Sequence, residues 1–406
     1  LTQVPGRSWP LSLGKALIGC CLTCLVALAT FLFYEPYALL DVAAFLIDVI
    51  HEGYMARGAV DIPYTRQFIG TLPYIYPIWQ ATVWSLGIPL GLAGFSAALG
   101  ALIQALVTSG RGRWQRAGEL WVPLAWVLPY FGLTGSFHAK FLRYMLPVTP
   151  FLCLWAAWAL GGLISAQRGL RGLRRALGVV GLVVILLGTG AYAFAYLNVY
   201  TQTHPWIQAT AWLCQNLPAQ SRLLIEHWDD PLPLLQGTGE LDCHENYQVS
   251  VFAAYDPDDT AKLENLLDAL ENNDYIILSS NRLYNTIPRL PSRYPLTSRY
   301  YQLLMGERLG FELVYYAAVY PEIAGLSLVD DTFSDPSLPK PRLLADREAL
   351  RPSINLGRAD ESYSVYDHPK PLVFRKIRQL SRAELLELFG EAAQGLSPPK
   401  AKLSSE

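Results

Sequence analysis

The sequence predicts a membrane α-helical bundle of about five spans followed by an α/β domain. Long apolar runs fill the chain up to about Tyr200, short arginine-rich segments separate several of these runs, and helix and strand patterns alternate in the more polar remainder. The charged fraction of the 406 residues is 16% against 52% hydrophobic, which is low for a soluble protein. The predicted organisation is a bundle at 1–200, an α/β domain at 201–390 and a disordered tail at 391–406.

Each predicted span is an apolar stretch close to the length that a bilayer requires. A spanning helix needs about 20 mostly apolar residues, and a charge at its centre is costly. No charged residue lies in the middle of the stretches that qualify. These stretches are Ala16–Phe33, Ile78–Val107, Leu120–Phe137, Met145–Ala166 and Leu177–Val199.

Basic residues orient this bundle. They precede the first span, separate the second span from the third, and separate the fourth from the fifth. Cytoplasmic loops carry an excess of Lys and Arg, so these segments are predicted to be cytoplasmic. The segments 35–75, 138–144 and everything after Tyr200 are then extracytoplasmic, in a multi-pass protein of the cell membrane. The net charge of −2 gives no indication of a nucleic-acid partner.

The first outer segment combines a predicted helix with a polar loop. Pro36–Gly58 reads as an interfacial helix with an acidic stripe of Asp41, Asp48 and Glu52, which alternatively forms an acidic catalytic site. The following loop mixes Pro and Gly with polar and aromatic residues, a combination that suits a sugar phosphate. Its candidate substrate-binding residues are Asp61, Tyr64 and Arg66.

The outer segment 138–144 is short and basic. Lys140 and Arg143 have i, i+3 spacing, so on a helix they would share one face just above the bilayer. Such a pair can bind the phosphates of bulk headgroups or the phosphate of one lipid substrate. Tyr144 is a further candidate for substrate binding.

Helix and strand patterns alternate in the second half and predict a largely parallel sheet. The predicted helices begin at Thr203, Asp258 and Thr297, and Ser381 with Glu384 forms a capping box for a last helix. Strands are expected at Arg222–Ile225, Asp274–Leu278 and Phe311–Tyr316, with a hairpin formed by Tyr363–Tyr366 and Leu372–Phe374. Cys214 and Cys243 can pair if this half is extracytoplasmic, although two cysteines alone set no pattern.

Polar residues follow two of these strands. In parallel sheets, ligands bind beyond the carboxyl ends of the strands, where these residues would meet if the strands are neighbours. They can form a sugar or acceptor site, a divalent-cation site, or a structural turn with Trp228 packed inward; no metal site or cofactor is assigned. The residues are Glu226, His227, Asp229, Asp230, Ser280 and Arg282.

Several segments resemble the carboxyl-terminal part of bacterial GT-C membrane glycosyltransferases of the family 39-like group, which are related to protein mannosyltransferases. The segments are GAVDIPYTRQFIGTLPYIYP, KFLRYMLPVTPFL, WIQATAWLCQNLPAQSRLLIEHWDDPLP, DYIILSSNRLYNTIPRLPSRYPLTSRYYQLL and SYSVYDHPKPLVF. Trp228 and Asp229 also match part of a motif that contacts the acceptor in oligosaccharyltransferases.

The resemblance implies transfer of a sugar from a polyprenyl-phosphate donor to an acceptor on the extracytoplasmic face. Lys140 and Arg143 would bind the donor phosphate, while the acidic loop that supplies the catalytic base in this family is expected upstream of Leu1. The chain would then be a fragment of the full enzyme. The alternative is a membrane-anchored accessory protein without catalysis, which binds glycans or works with a flippase.

Overall fold

The computed structural model describes residues 13–165, 171–235 and 242–398. These residues form two compact units, one up to Thr65 and one from Arg66 onward. The division does not fall at the predicted boundary near residue 200, because the helices from Ile75 onward belong to the same unit as the α/β fold.

The first unit consists of three helices and the start of a 3-10 turn. The helices are α1 (Leu13–Tyr34), α2 (Tyr37–Leu40) and α3 (Val42–Arg57), and the turn is Pro63–Phe68. The predicted continuous helix is interrupted at Asp41, whose Oδ1 accepts a hydrogen bond from the Ala44 N–H (3.1 Å). Asp41 therefore caps α3 instead of extending an acidic stripe along it.

The second unit begins with five helices. They are α4 (Ile75–Gln80), α5 (Ile88–Gly110), α6 (Trp114–Thr134), α7 (Thr149–Ile164) and α8 (Arg171–Leu197). The predicted second span is not continuous, because α4 runs into a π-helical turn and ends before Gly87, whose φ of 76° suits glycine. Pro89 then lies in the first turn of α5, where a proline is tolerated.

Three helical segments in the described part of the chain are long and apolar enough to cross a membrane. They are Leu17–Tyr34, Ile88–Gly110 and Gly172–Asn216, the last of which includes α8. Helix α7 is apolar but has only 16 residues, and α6 contains Pro123 and Pro129. Membrane helices are therefore supported, while the total of five spans stays a prediction.

Small residues on α5 let the other helices approach it closely. A Cβ added to Gly91 would lie 2.5 Å from Thr82 Cα, and one added to Gly94 would lie 3.0 Å from Leu152 Cβ on α7. Close approach through small residues is a common way for membrane helices to associate. Helix α5 is thus packed against α6, α7 and α8.

The rest of the second unit is the α/β lobe, which begins at Pro205. Its helices are α9 (Pro205–Asn216), α10 (Thr260–Asn272), α11 (Asn281–Thr286), α12 (Pro295–Met305), α13 (Arg342–Ala349), α14 (Glu361–Ser364), α15 (Arg382–Phe389) and α16 (Glu391–Gln394). Its strands are β1 (Arg222–Glu226), β2 (Gln248–Phe252), β3 (Tyr275–Leu278), β4 (Phe311–Tyr316), β5 (Glu322–Ile323), β6 (Leu326–Val329), β7 (Ser353–Asn355) and β8 (Leu372–Lys376).

Five of the strands form a mixed sheet in the order β2-β1-β3-β8-β4. Strands β1, β2 and β3 are parallel, but β8 is antiparallel to both of its neighbours. Alternate residues of β1 and β3 belong to two separate cores, so the sheet is covered on both faces. Leu213 of α9 packs in one core, whereas α10 and α12 contribute to the other.

Three predictions about the lobe need correction or completion. The hairpin across Asp367–Lys370 is wrong, because Tyr363 lies in α14 and β8 pairs with β3 and β4. The segment expected to be disordered from residue 391 contains α16, and Ser397 bridges to Asp259, while residues 399–406 lie outside the described part. Cys214 and Cys243 form a disulfide, which the sequence had left open.

Candidate functional site

The predicted meeting of two polar segments at one sheet edge is confirmed. Strands β1 and β3 are parallel neighbours, and the segments that follow them come together beyond their carboxyl ends. Asp229 accepts hydrogen bonds from the Ser280 hydroxyl and from Arg282 Nε, the latter at 3.0 Å. Asp229, Ser280 and Arg282 form, with Glu361 and Thr286, what we call the strand-edge cluster.

Local structure positions Ser280 and Arg282. Ser280 is the N-cap of α11, and its Oγ accepts a hydrogen bond from the Arg282 N–H (3.1 Å) while its own hydroxyl donates to Asp229. A serine at this position satisfies a backbone donor that the helix leaves without a partner. The cap therefore fixes the start of α11 and directs the Arg282 side chain toward Asp229.

Glu361 contributes the second carboxylate of the cluster. Arg282 Nη1 donates to Glu361 Oε2 (3.2 Å), and Thr286 Oγ1 donates to Glu361 Oε1 (2.7 Å). Burial raises the pKa of Glu361 to about 8, although Arg282 acts in the opposite direction. Burial alone would lower the pKa of Arg282, but Glu361 and Asp229 raise it overall. Arg282 therefore stays charged and is neutralised inside the fold.

Glu226 lies at the end of β1, and none of the described residues forms an ion pair with it. It is buried, its Oε1 accepts a hydrogen bond from the Tyr301 hydroxyl, and its Oε2 has no partner among the described residues. Burial raises the pKa of Glu226 to about 8, against the opposing effect of the Tyr301 hydrogen bond. A carboxyl group in such a place prefers its protonated form. This geometry suits a neutral acid better than a metal ligand.

His227, Trp228 and Asp230, which follow Glu226, differ in their exposure. His227 is half-buried, and its Nδ1 accepts from the Ala254 N–H (3.1 Å), so one ring nitrogen is used within the fold. Trp228 has a φ of 100°, a strained conformation for a non-glycine residue, and its side chain is exposed. The Trp228 ring also contacts the rings of His227 and Tyr255 edge to face, so this side chain is partly packed and partly exposed. Asp230 is exposed.

The loop between α6 and α7 does not hold its two cations on one helical face. Lys140 precedes the 3-10 turn Leu142–Met145, which contains Arg143. Lys140 is buried, and its Nζ donates to Thr71 Oγ1 (3.1 Å) and to the His138 carbonyl (3.0 Å). Burial lowers the pKa of Lys140. Its partners in the described residues are neutral oxygens and the ring of Phe68.

Arg143 and Tyr144 lie at the surface of the same loop. Arg143 is exposed, and its guanidinium lies 4.3 Å from the centre of the Phe141 ring. Burial raises the pKa of Asp360, and the charge of Arg143 is among the effects that oppose this rise. Tyr144 contacts the Phe141 ring edge to face, and its carbonyl accepts from the Tyr130 hydroxyl (2.9 Å).

The remaining predicted residues lie on either side of the division between the units. In the first unit, Asp61 is exposed and the Tyr64 hydroxyl lies 3.1 Å from Met55 Sδ. In the second, Arg66 is buried, and its guanidinium donates to the Tyr255 carbonyl (3.0 Å) and to the Tyr294 hydroxyl. Arg66 thus fastens the start of the second unit to the α/β lobe.

The sequence analysis missed the segment that joins the helices to the lobe. Gln67 Oε1 accepts from the Glu361 N–H (3.0 Å), Gln80 Oε1 accepts from the Asp360 N–H (3.0 Å), and Trp84 Nε1 donates to the Arg358 carbonyl (3.0 Å). Asp360 also caps α14 through Ser362. The Asp-x-Ser pattern predicts that cap, but no local signal connects these residues with partners 274 to 294 positions earlier.

No group of His, Cys, Asp and Glu in the described residues has the arrangement of a metal site. Comparison of the chain with protein-family models, with curated proteins and with solved structures gives no match. The functional argument therefore depends on the geometry of the chain itself.

Proposed function

We propose that this chain is the carboxyl-terminal part of a membrane glycosyltransferase that uses a polyprenyl-phosphate sugar on the extracytoplasmic face. The observation that carries the proposal is Lys140, a buried ammonium group whose partners in the described residues are neutral. An isolated buried charge is costly, and an anion beside it removes that cost. The phosphate of the donor lipid is the anion proposed for this position.

The location of Lys140 suits a lipid substrate. Its loop connects α6 to α7, so it lies at the end of these apolar helices and beside the ring of Phe68. A polyprenyl chain can then extend along the helices while the phosphate reaches Lys140. Arg143, which is exposed in the same loop, is proposed as a second and weaker phosphate contact.

The proposed topology has five spans, with the α/β lobe outside the cell. The Tyr192 hydroxyl of α8 donates to the Trp84 carbonyl just before α5 (2.8 Å), so the carboxyl end of α8 and the amino end of α5 lie together. Arg111 and Arg174 lie toward the opposite ends of the same helices, as cytoplasmic residues would. The disulfide in the lobe supports an oxidising compartment.

The acceptor is proposed to bind at the exposed end of the segment after β1. Exposed Trp228 offers an aromatic face and Asp230 a carboxylate, which are the groups that sugar sites combine. Arg282 and Asp229 act behind them as positioning residues, because they are already paired within the strand-edge cluster. The catalytic base is not assigned to a residue of this chain.

A transfer assay with the full-length protein in proteoliposomes tests this function. The donor is a radiolabelled hexose on polyprenyl phosphate, and Lys140→Met combined with Arg143→Met should abolish the labelled product. Arg378→Ala is the matched control, because it removes an exposed cation that is paired with Glu384 on the lobe. Undiminished transfer by the double variant would refute the phosphate assignment.

The second candidate is a membrane-anchored accessory protein that binds glycans without catalysis. The exposed side chains of Trp228 and Asp230 favour this alternative, because they could bind a glycan without any catalytic step. The same proteoliposomes separate the two functions, because an accessory protein should retain the lipid donor and release no transferred sugar. A membrane-impermeant maleimide applied to intact cells checks the topology, since a cysteine at Arg378 should react if the lobe is outside.

A further inference from the structure

The small sheet of the lobe has one apolar face. Ile323 of β5 is directly opposite Leu326 of β6, and Leu328 of β6 is directly opposite Ile354 of β7. Side chains alternate along a strand, so Leu326 and Leu328 lie on the same side of β6. These four residues therefore share one face, which we call the β5–β7 face.

The opposite face of the small sheet is mainly polar. It carries Glu322, Ser327, Ser353 and Asn355, and the Ser327 hydroxyl donates to Glu322 Oε2 (3.0 Å) across it. This hydrogen bond confirms which residues lie together. Val329, opposite Asn355, is an apolar residue on this otherwise polar face. The sheet is thus amphipathic, with one wholly apolar face and one mainly polar face.

The β5–β7 face is open to its surroundings. Ile323, Leu326 and Ile354 retain 38%, 36% and 47% of their accessible surface, and nearby Leu350 retains 85%. Single exposed apolar residues are ordinary, but a contiguous apolar group on three neighbouring strands marks a contact surface. A surface of this kind requires an apolar partner.

Contacts with α8 show where this face lies. Strand β5 has only two residues, and it contacts both α8 and the 3-10 turn Asn198–Thr201 that follows it. The contact is therefore at the carboxyl end of α8. Phe194 and Leu197 in the last turns of α8 are also exposed, and Tyr200 follows them. The β5–β7 face therefore lies beside the exposed apolar side chains in the last turns of α8.

We propose that the β5–β7 face is a membrane-contact surface that inserts into the headgroup and upper acyl region of the outer leaflet. A helix of α8's length and composition ends at the membrane surface, where apolar side chains enter the acyl boundary and tyrosine occupies the interface. The inference depends on α8 as a span and on the outer location of the lobe, and not on sugar transfer. Its consequence is that the lobe is held at a fixed height over the bilayer.

Fluorescence quenching by brominated lipids tests this surface. The full chain, with Cys20, Cys21, Cys24 and Cys153 replaced by Ser and the disulfide kept, is labelled with bimane at Ile354→Cys in nanodiscs. Ser353→Cys is the matched control, because Ser353 is exposed one residue earlier on the opposite face. We expect brominated phosphatidylcholine to remove about half or more of the emission at position 354 and little at 353.

Iodide in solution provides the complementary measurement, and it should quench the label at 353 more strongly than the label at 354. Absence of lipid quenching at 354, or equal quenching at both positions, would overturn the proposal. A label at 354 that is shielded from iodide and also unaffected by brominated lipid would indicate a protein partner and refute the lipid assignment. A label at Leu350→Cys gives an independent second site, and it should behave like that at 354.

Discussion

Two buried cations of this molecule, Arg282 and Lys140, have opposite environments. Arg282 lies between the carboxylates of Asp229 and Glu361, at 3.0 and 3.2 Å. Lys140 has a hydroxyl, a carbonyl and an aromatic ring around it. The exposed fractions are similar, 7% and 4%, so burial alone does not distinguish them. The difference is that the charge of Arg282 is neutralised within the fold, whereas the partners of Lys140 in the described residues are neutral, so that an anion can still bind beside Lys140.

Removing Arg282 should break the strand-edge cluster and give the largest effect. In Arg282→Met, the buried Glu361 and the partly buried Asp229 lose their only cation in the cluster, which costs about 3–5 kcal/mol of unfolding free energy. Thermal unfolding in detergent, followed by tryptophan fluorescence, should show Tm lower by roughly 10 °C. Arg378→Met, at an exposed ion pair, should leave Tm unchanged. An equal Tm in Arg282→Met would contradict the structural role assigned to this residue.

Removing Lys140 should weaken phosphate binding without lowering Tm. Lys140→Met keeps the shape of a long side chain and removes a buried charge, so Tm should not fall. Binding of polyprenyl phosphate should weaken about tenfold or more, since a charge-assisted hydrogen bond contributes about 1.5–3 kcal/mol. Native mass spectrometry of the protein with added lipid measures this change, and uncharged polyprenol is the control ligand. Unchanged phosphate binding together with lower Tm would make Lys140 a structural residue.

Glu226 is a buried acid that differs from Glu361, because none of the described residues forms an ion pair with it. Its pKa of about 8 in the folded chain exceeds the ordinary value of 4.5, so the folded state binds more protons between these two pH values. The stability due to this group is present below about pH 4.5 and is lost as pH rises through 8. Glu226→Gln cannot ionise, so we expect it to gain about 1–3 kcal/mol relative to the parent chain between pH 5 and pH 9. Parallel Tm profiles of the two proteins over this range would show that Glu226 does not titrate as described.

The smallest effect is expected on replacing Arg143. This variant tests whether an exposed cation contributes less to phosphate binding than the buried Lys140. Arg143 is exposed, so its attraction for a phosphate is weakened by solvent and by salt. Arg143→Ala should reduce polyprenyl-phosphate affinity about threefold at low ionic strength and negligibly at about 0.5 M salt. The loss in Lys140→Met should persist at high salt, because a buried group is screened less. Equal salt dependence in both variants would show that Lys140 and Arg143 do not differ in their exposure to solvent when phosphate binds.

Sequence patterns predicted much of the lobe because its signals are local. The strand patterns at Arg222–Ile225 and Phe311–Tyr316 and the capping box at Ser381 all correspond to observed elements. The convergence of Asp229 with Ser280 and Arg282 was also predictable, since it needs only two parallel neighbouring strands. The hairpin prediction failed because the residues before β8 form α14, and β8 pairs with β3 and β4, which are distant in sequence.

The sequence by itself determined that the first half of the chain is apolar enough for membrane helices and that an alternating helix and strand region follows it. Only the tertiary structure decided that Arg282 is neutralised by Glu361, that Lys140 is buried among neutral groups, and that Gln67 and Gln80 bind the 358–361 segment. The physical reason is the distance along the chain over which each kind of interaction acts. Periodicity and capping act over a few neighbouring residues, whereas the charge state and availability of a side chain depend on groups that folding brings from distant parts of the chain.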